Sequence, residues 1–413
     1  MSQATLIRNA RVLDVRAGAY LDHAQVLVSG GFIAEVGDDI AAPDGTEVID
    51  AEGRALLPGL IDGHVHVIAV HPDLGAVEDW AASYVTARAA RIMRDMLHRG
   101  FTTVRDLSGA DHGHADAQAE GYIEGPRLLF CGKAVSQTGG HADMRPRGRM
   151  HADTHPGCPS AGIVCDGVPE VRRAVRQQLR TGADHIKLML SGGVASPTDR
   201  IDSTQLAIDE IRAAVEEADA ANRYVAGHAY TAKAVNRGLE NGVRSIEHGN
   251  LIDQSSIDLF LRHDAFYVPT LITYHRMSEE GLEHGLPEDN HRKVGEVLGQ
   301  GLHALDLAHR AGVQVVFGTD LLGDMHRHQS EEFAIRAQVQ PGIDVIRSAT
   351  VTAAKLIGYE GRLGEVVAGA HADLILVDGD PVADVTLLAR PEQSIRLIMQ
   401  AGRIVRARLT SQP

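Results

Sequence analysis

Apolar and polar residues alternate in short runs at both ends of the chain. Near the start, "TLIRNARVLDV", "AQVLVSGGFIAEVG" and "EVIDAEGRALLPG" read as strands. Gly-Gly and Pro-Asp-Gly punctuate them as turns. Near the end, "GRLGEVVAGAHADLILVDGD" and "SIRLIMQAGRIVRARL" show the same texture. Two β-rich ends around a different middle predict one small β-sandwich assembled from both termini, residues 1–58 and 361–413.

The middle, 59–360, alternates differently. Short apolar or β-rich runs recur near 60–67, 101–107, 127–135, 185–190, 224–230, 244–249, 266–272 and 314–320. Helical patterns separate most of them, among them "VEDWAASYVTARAARIMRDMLHRG" and "VPEVRRAVRQQLRTG". Several stop at a glycine, which suits a left-handed C-terminal cap. Eight strand–helix units point to an α/β fold, a closed (β/α)8 TIM barrel. An open doubly wound sheet is the alternative, and the Gly-x-Gly-x-x-Gly turn that would support it is absent.

Composition narrows the class. The chain has 413 residues, 44% hydrophobic and only 4% aromatic, so its core is aliphatic. A formal charge of −15 disfavours nucleic acid and anionic membrane surfaces as partners. No apolar run is long enough to predict a membrane span. The start "MSQATLIRNARVLDV" lacks a basic segment followed by an apolar block, so a cytoplasmic protein is expected. A chain trimmed of its leader would read the same. Three cysteines are too few and too irregular for a disulfide framework, though Cys158 and Cys165 could pair in an oxidising compartment.

Histidine is the unusual component, at 22 residues. In "PGLIDGHVHV", His64 and His66 stand two apart, on one face of a strand. Two imidazoles on one face suit a metal ion, and two hydrogen-bonded core histidines would fit as well. A barrel places its chemistry at the C-terminal strand ends. There the sequence puts His64 and His66, Lys187 in "DHIKLML", His228 in "RYVAGHAY", His248 in "VRSIEHGN" and Asp320 in "VQVVFGTD". Structural histidines have no reason to collect at the ends of several strands, whereas metal ligands do.

Together, "PGLIDGHVH", "IKLMLSGG", "GHAY", "SIEHG" and "GTD" resemble the amidohydrolase superfamily across essentially the whole chain. The resemblance implies a hydrolase with two divalent metal ions. His64, His66 and Asp320 would hold the buried ion, and His228 and His248 the outer one. Lys187, carboxylated by carbon dioxide, would bridge them. Zinc is the first choice for so histidine-rich a set, with manganese and cobalt as alternatives. Two metals can activate a shared water and polarise a carbonyl, and Asp320 could carry the proton to the leaving amine.

The wording also selects a branch. "SQTGGH", "KLMLSGGVASPTD" and "GHAYT" resemble Xaa-Pro dipeptidases and ochratoxin-hydrolysing amidohydrolases. This implies a small-molecule substrate with a free carboxylate beside the scissile amide of a dipeptide or N-acyl amino acid. His141 and Tyr230 are the candidates for polarising the carbonyl or binding that carboxylate. Arg145, Arg147 and Arg149 rank lower as charge partners for it. A deaminase would need a glutamate shortly after His228, where Thr231 stands instead. Cyclic-amide or lactone hydrolysis is the nearer alternative, and a non-catalytic scaffold, which tends to lose ligands, a more distant one. The family's habit implies a homo-oligomer.

Overall fold

The computed structural model describes residues 4–150 and 159–409. The chain is an α/β protein and divides into two compact units. One comprises residues up to Asp62, Arg94–Val104 and everything from Ser330 onward. The other comprises Gly63–Met93 and Arg105–Gln329.

The first unit is built on an eight-stranded sheet that interleaves the two ends of the chain. Arg403–Ala407 pairs with Ile395–Gln400, then Leu374–Val377, Ala55–Pro58, Thr5–Asp14, Ala19–Ser29 and Phe32–Gly37. Glu47–Asp50 adds to Thr5–Asp14 on a branch. The apolar positions of the alternating runs bury together, among them Ile7, Val12, Val26, Leu56, Leu374, Leu376 and Met399.

The second unit carries the parallel sheet that the alternating middle implies. Its order is Gly162–Val164, Ala134–Ser136, Ile186–Met189, Val225–Thr231, Ser245–Leu251, Phe266–Val268 and Gln314–Val315. From Ile186–Met189 onward, neighbours in sequence are neighbours in space. A separate three-stranded sheet consists of Leu60–Val65, Phe101–Asp106 and Arg127–Phe130, the first two of which begin in the first unit and end in the second. Backbone hydrogen bonds run from Gly63 N to Phe317 O at 2.7 Å and from Asp184 N to Phe130 O at 2.8 Å. Helices intervene, including Val168–Arg180, Ile208–Ala220 and Ala232–Leu239, the last capped by Thr231 Oγ1 on Ala234 N.

Three expected strands depart most from their apolar runs. The run 127–135 splits into two because Gly132 sits at φ +71°, outside extended geometry. The run 266–272 stops at Val268, and Pro269 and Thr270 lead into the helix Leu271–Glu280. The run 314–320 keeps only Gln314–Val315 as strand. Beyond it, Thr319 N and Asp320 N both donate to His64 O, at 3.2 and 2.9 Å. Of the long segment 137–167, Gly162–Val164 forms a short edge strand. Cys158 lies outside the described residues, and Cys165 is a buried thiol.

Candidate metal centre

His64 is the penultimate residue of the strand Leu60–Val65, and His66 is the first residue beyond it. Their Nε2 atoms lie 3.3 Å apart. Asp320 Oδ1 meets both, 3.3 Å from His64 Nε2 and 3.0 Å from His66 Nε2. These three residues form a cluster of converging donor atoms with the spacing to hold a metal ion.

Each imidazole is oriented by a protein acceptor on its other nitrogen. His64 Nδ1 meets Glu247 Oε2 at 2.8 Å, and His66 Nδ1 meets the Ser108 carbonyl at 3.2 Å. His228 directs Nε2 to the Gly192 carbonyl at 3.2 Å, and His248 directs Nδ1 to Thr270 Oγ1 at 2.8 Å. Metal-binding histidines characteristically show such outer partners, which fix the tautomer and the ring plane. Thus the donor set fits divalent metal. Burial and neighbouring positive groups hold the pKa values of His228 and His248 well below the ordinary histidine value, which keeps both rings in the neutral, ligating form.

Lys187, His228, His248, His66 and Asp320 line one pocket, together with His141 and Tyr230. All the site residues singled out in the sequence are therefore brought together, with His64 buried directly behind His66. Lys187 is buried, and burial lowers its pKa to about 8. Asp320 is kept well below the usual carboxylate range: burial opposes ionisation, but His64, His66 and His248 outweigh it. The remaining wall is aliphatic, with Leu74, Met144, Met189 and Met277 among its residues. Two of the three loop arginines are occupied elsewhere. Arg145 closes on Asp143 with 2.6 Å contacts through Nε and Nη2, and Arg149 pairs with exposed Asp79 at 3.3 Å.

Several site residues carried no sequence signal. Arg105 donates to both Glu247 oxygens at 2.8 and 2.9 Å, and through Nε to the Gly63 carbonyl at 2.6 Å. Glu247 precedes His248 on one strand, so alternation would send the two side chains apart. His248 has φ +74°, which breaks the pleat and lets both approach His64. Asp320 is likewise left-handed at φ +55°. Such backbone conformations cost about 1–3 kcal/mol each and cluster at functional sites. Tyr274, on the helix Leu271–Glu280, donates to Tyr230 Oη at 3.0 Å.

The model of the amidohydrolase family matches residues 55–405. The chain belongs to that family. It is 30% identical to ochratoxinase from Aspergillus niger over 410 residues, 94% of this chain and 84% of that protein. A solved amidohydrolase is 46% identical with a TM-score of 0.96, covering 98% of this chain and 99% of the other. A prolidase solved with N-methylphosphonate-L-proline is 43% identical, also with a TM-score of 0.96, covering 98% of this chain and 100% of the other. This amidohydrolase is a hydrolase of amide bonds, similar to the Xaa-Pro dipeptidase and ochratoxinase branch. Among its described residues, no helix is long and apolar enough to cross a membrane.

Proposed function

We propose that this amidohydrolase uses two divalent metal ions to cleave dipeptides or N-acyl amino acids at the amide beside a free carboxylate. The observation that carries the reading is the convergence of four oriented imidazoles, Asp320 and Lys187 on one pocket region. The likeness to a prolidase with a bound proline phosphonate supports the substrate class. A closed (β/α)8 barrel is part of the proposal, supported by the bonds from Gly63 to Phe317 and Asp184 to Phe130. So are a β-sandwich from both chain ends, with boundaries at 58 and 360, and a homo-oligomer.

In this reading His64, His66 and Asp320 would hold one ion and His228 and His248 the other, and Lys187, as a carbamate, would serve both. Zinc suits the histidine-rich set. Bound there, the ions would activate a water and polarise the scissile carbonyl. Lys187 is suited to carboxylation because burial lowers its pKa to about 8, which enlarges the fraction of neutral amine, the form that attacks carbon dioxide. The carbamate then supplies negative charge between two cations, which an ammonium could not.

Asp320 accepts the proton of the attacking water and returns it to the leaving nitrogen. Its left-handed backbone and the Thr273 Oγ1 bond to its carbonyl, 2.8 Å, hold it in place for both transfers. Tyr230 accepts from Tyr274, so its own O–H is directed at the substrate carbonyl or carboxylate. His141 lines the same pocket.

Metal analysis of the purified enzyme, joined to a screen of dipeptides and N-acyl amino acids, tests the proposal. Two divalent ions per chain and hydrolysis of at least one substrate class are expected. A metal-reconstituted enzyme that hydrolyses none of them overturns it.

A further inference from the structure

The stretch "KLMLSGGVASPTD" runs past Lys187 to Asp199, and the chemistry above leaves its second half without a role. That half encloses His141. The His141 ring lies flat on His228, with centroids 4.1 Å apart and planes 20° apart. Its other face meets Gly193, where a Cβ would stand 2.2 Å from His141 Cε1 and 2.5 Å from Nε2. Only glycine leaves room for the imidazole there.

The edge of the ring is fixed as well. His141 Nδ1 lies 2.8 Å from Ser196 Oγ and 3.5 Å from Asp199 Oδ2. Ser196 Oγ also bonds Asp199 Oδ1. A carboxylate only accepts, so the serine hydrogen points to Asp199 and the serine oxygen is left to accept Nδ1–H. The proton of a neutral His141 therefore sits on Nδ1. Nε2 has no hydrogen-bond partner among the described residues, and His141 lines the pocket.

Asp199 is itself held on several sides. Gln205 Nε2 donates to it at 2.9 Å and Lys293 Nζ at 3.3 Å. The same ammonium also donates to the Ser196 and Gly193 carbonyls, at 2.8 and 3.1 Å. Gln205 Oε1 accepts the His141 backbone N–H at 2.8 Å. The residues that fix Asp199 thus also fix the main chain of His141 and the glycine under its ring.

We propose that Asp199 is a positioning residue that acts through His141, fixing the ring and its Nδ1 proton so that Nε2 meets the substrate. The proposal rests on the amide-hydrolase reading above, in which His141 touches substrate. It goes further in assigning Asp199, Ser196 and Lys293 as the apparatus that aims it.

The test is a double-mutant cycle on the metal-reconstituted enzyme, with a substrate found in the screen. Asp199→Asn keeps the size of the side chain and removes its charge. It should lower kcat/KM about 10–100-fold, the usual scale for an outer partner, with metal content near wild type and the chain still folded, although Lys293 loses its carboxylate partner. In a His141→Ala background the same change should produce no further loss, because the two residues act as one unit. Wild-type activity in Asp199→Asn, or losses that simply multiply, would overturn the proposal and reduce Asp199 to a loop tie. If Asp199→Asn does not fold, Ser196→Ala takes its place in the same cycle with the same two outcomes. A wild-type enzyme inactive on every amide would instead sink the functional reading on which the assignment rests.

Discussion

Arg105 grips Glu247 through both carboxylate oxygens, and Glu247 in turn holds His64, so a fully buried ion pair stands directly behind the proposed metal ligands. Breaking one member of such a pair leaves the other charge buried alone, at a cost of about 3–5 kcal/mol. Glu247→Gln should therefore lower the unfolding midpoint clearly in urea. It should also weaken metal retention about 10–100-fold in a chelator competition, because His64 loses its orienting carboxylate. Unchanged metal affinity would mean that the pair serves stability alone.

Lys187→Ala removes the proposed bridge. Bound metal, read by elemental analysis, should fall, and turnover should nearly vanish. Short-chain carboxylic acids or bicarbonate should restore part of it by standing in for the carbamate. Two retained metals with normal turnover would contradict the binuclear assignment.

Asp320→Asn preserves volume and removes the proton acceptor. Turnover should drop by at least ~10²-fold, the scale of a lost general base. Steady-state kinetics should show a much smaller change in KM.

An N-acyl amino acid should outperform its C-terminal amide by ~10²-fold or more in kcat/KM, about 2.7 kcal/mol. Buried donors built for a carboxylate are left unpaired when it is missing. Tyr230→Phe should narrow that gap, whereas equal slowing of both substrates would assign its hydroxyl to the carbonyl. Equal hydrolysis of acid and amide by the unaltered enzyme would favour a ring-amide or lactone substrate.

Gly193→Ala tests the floor under His141. The added methyl would overlap the imidazole, with Cβ 2.2 Å from Cε1. Activity should fall to the level of His141→Ala while metal content stays that of the unaltered enzyme. Wild-type kinetics in this variant would show that the ring can shift without consequence.

His64, Lys187, His228 and Asp320 were legible because chemistry-bearing side chains interrupt or close apolar runs there. The helices were legible from their period and their glycine stops. Glu247 was not, because strict alternation turns it away from the face of His248, and the left-handed φ of His248 has no signature in a histidine codon. Arg105 lay hidden for a related reason. A lone arginine in a short apolar strand reads as an edge residue unless the glutamate it meets 142 positions later is known to be its partner. Tyr274 sits on a helix after Thr270, and attention to strand ends alone passes over it. The strand Gln314–Val315 is short and is followed by bonds from Thr319 and Asp320 to His64 that only tertiary structure reveals.

The eight-stranded sheet has a consequence for synthesis. Ala55–Pro58 pairs on one side with Thr5–Asp14, available at once, and on the other with Leu374–Val377, which emerges roughly 300 residues later. At ribosomal speeds of about 5–20 residues per second that edge waits on the order of half a minute with its backbone groups unpaired. An apolar strand left open so long invites pairing with another nascent chain. Recombinant yield should therefore depend on growth temperature and chaperone supply more steeply than the stability of the finished enzyme would suggest.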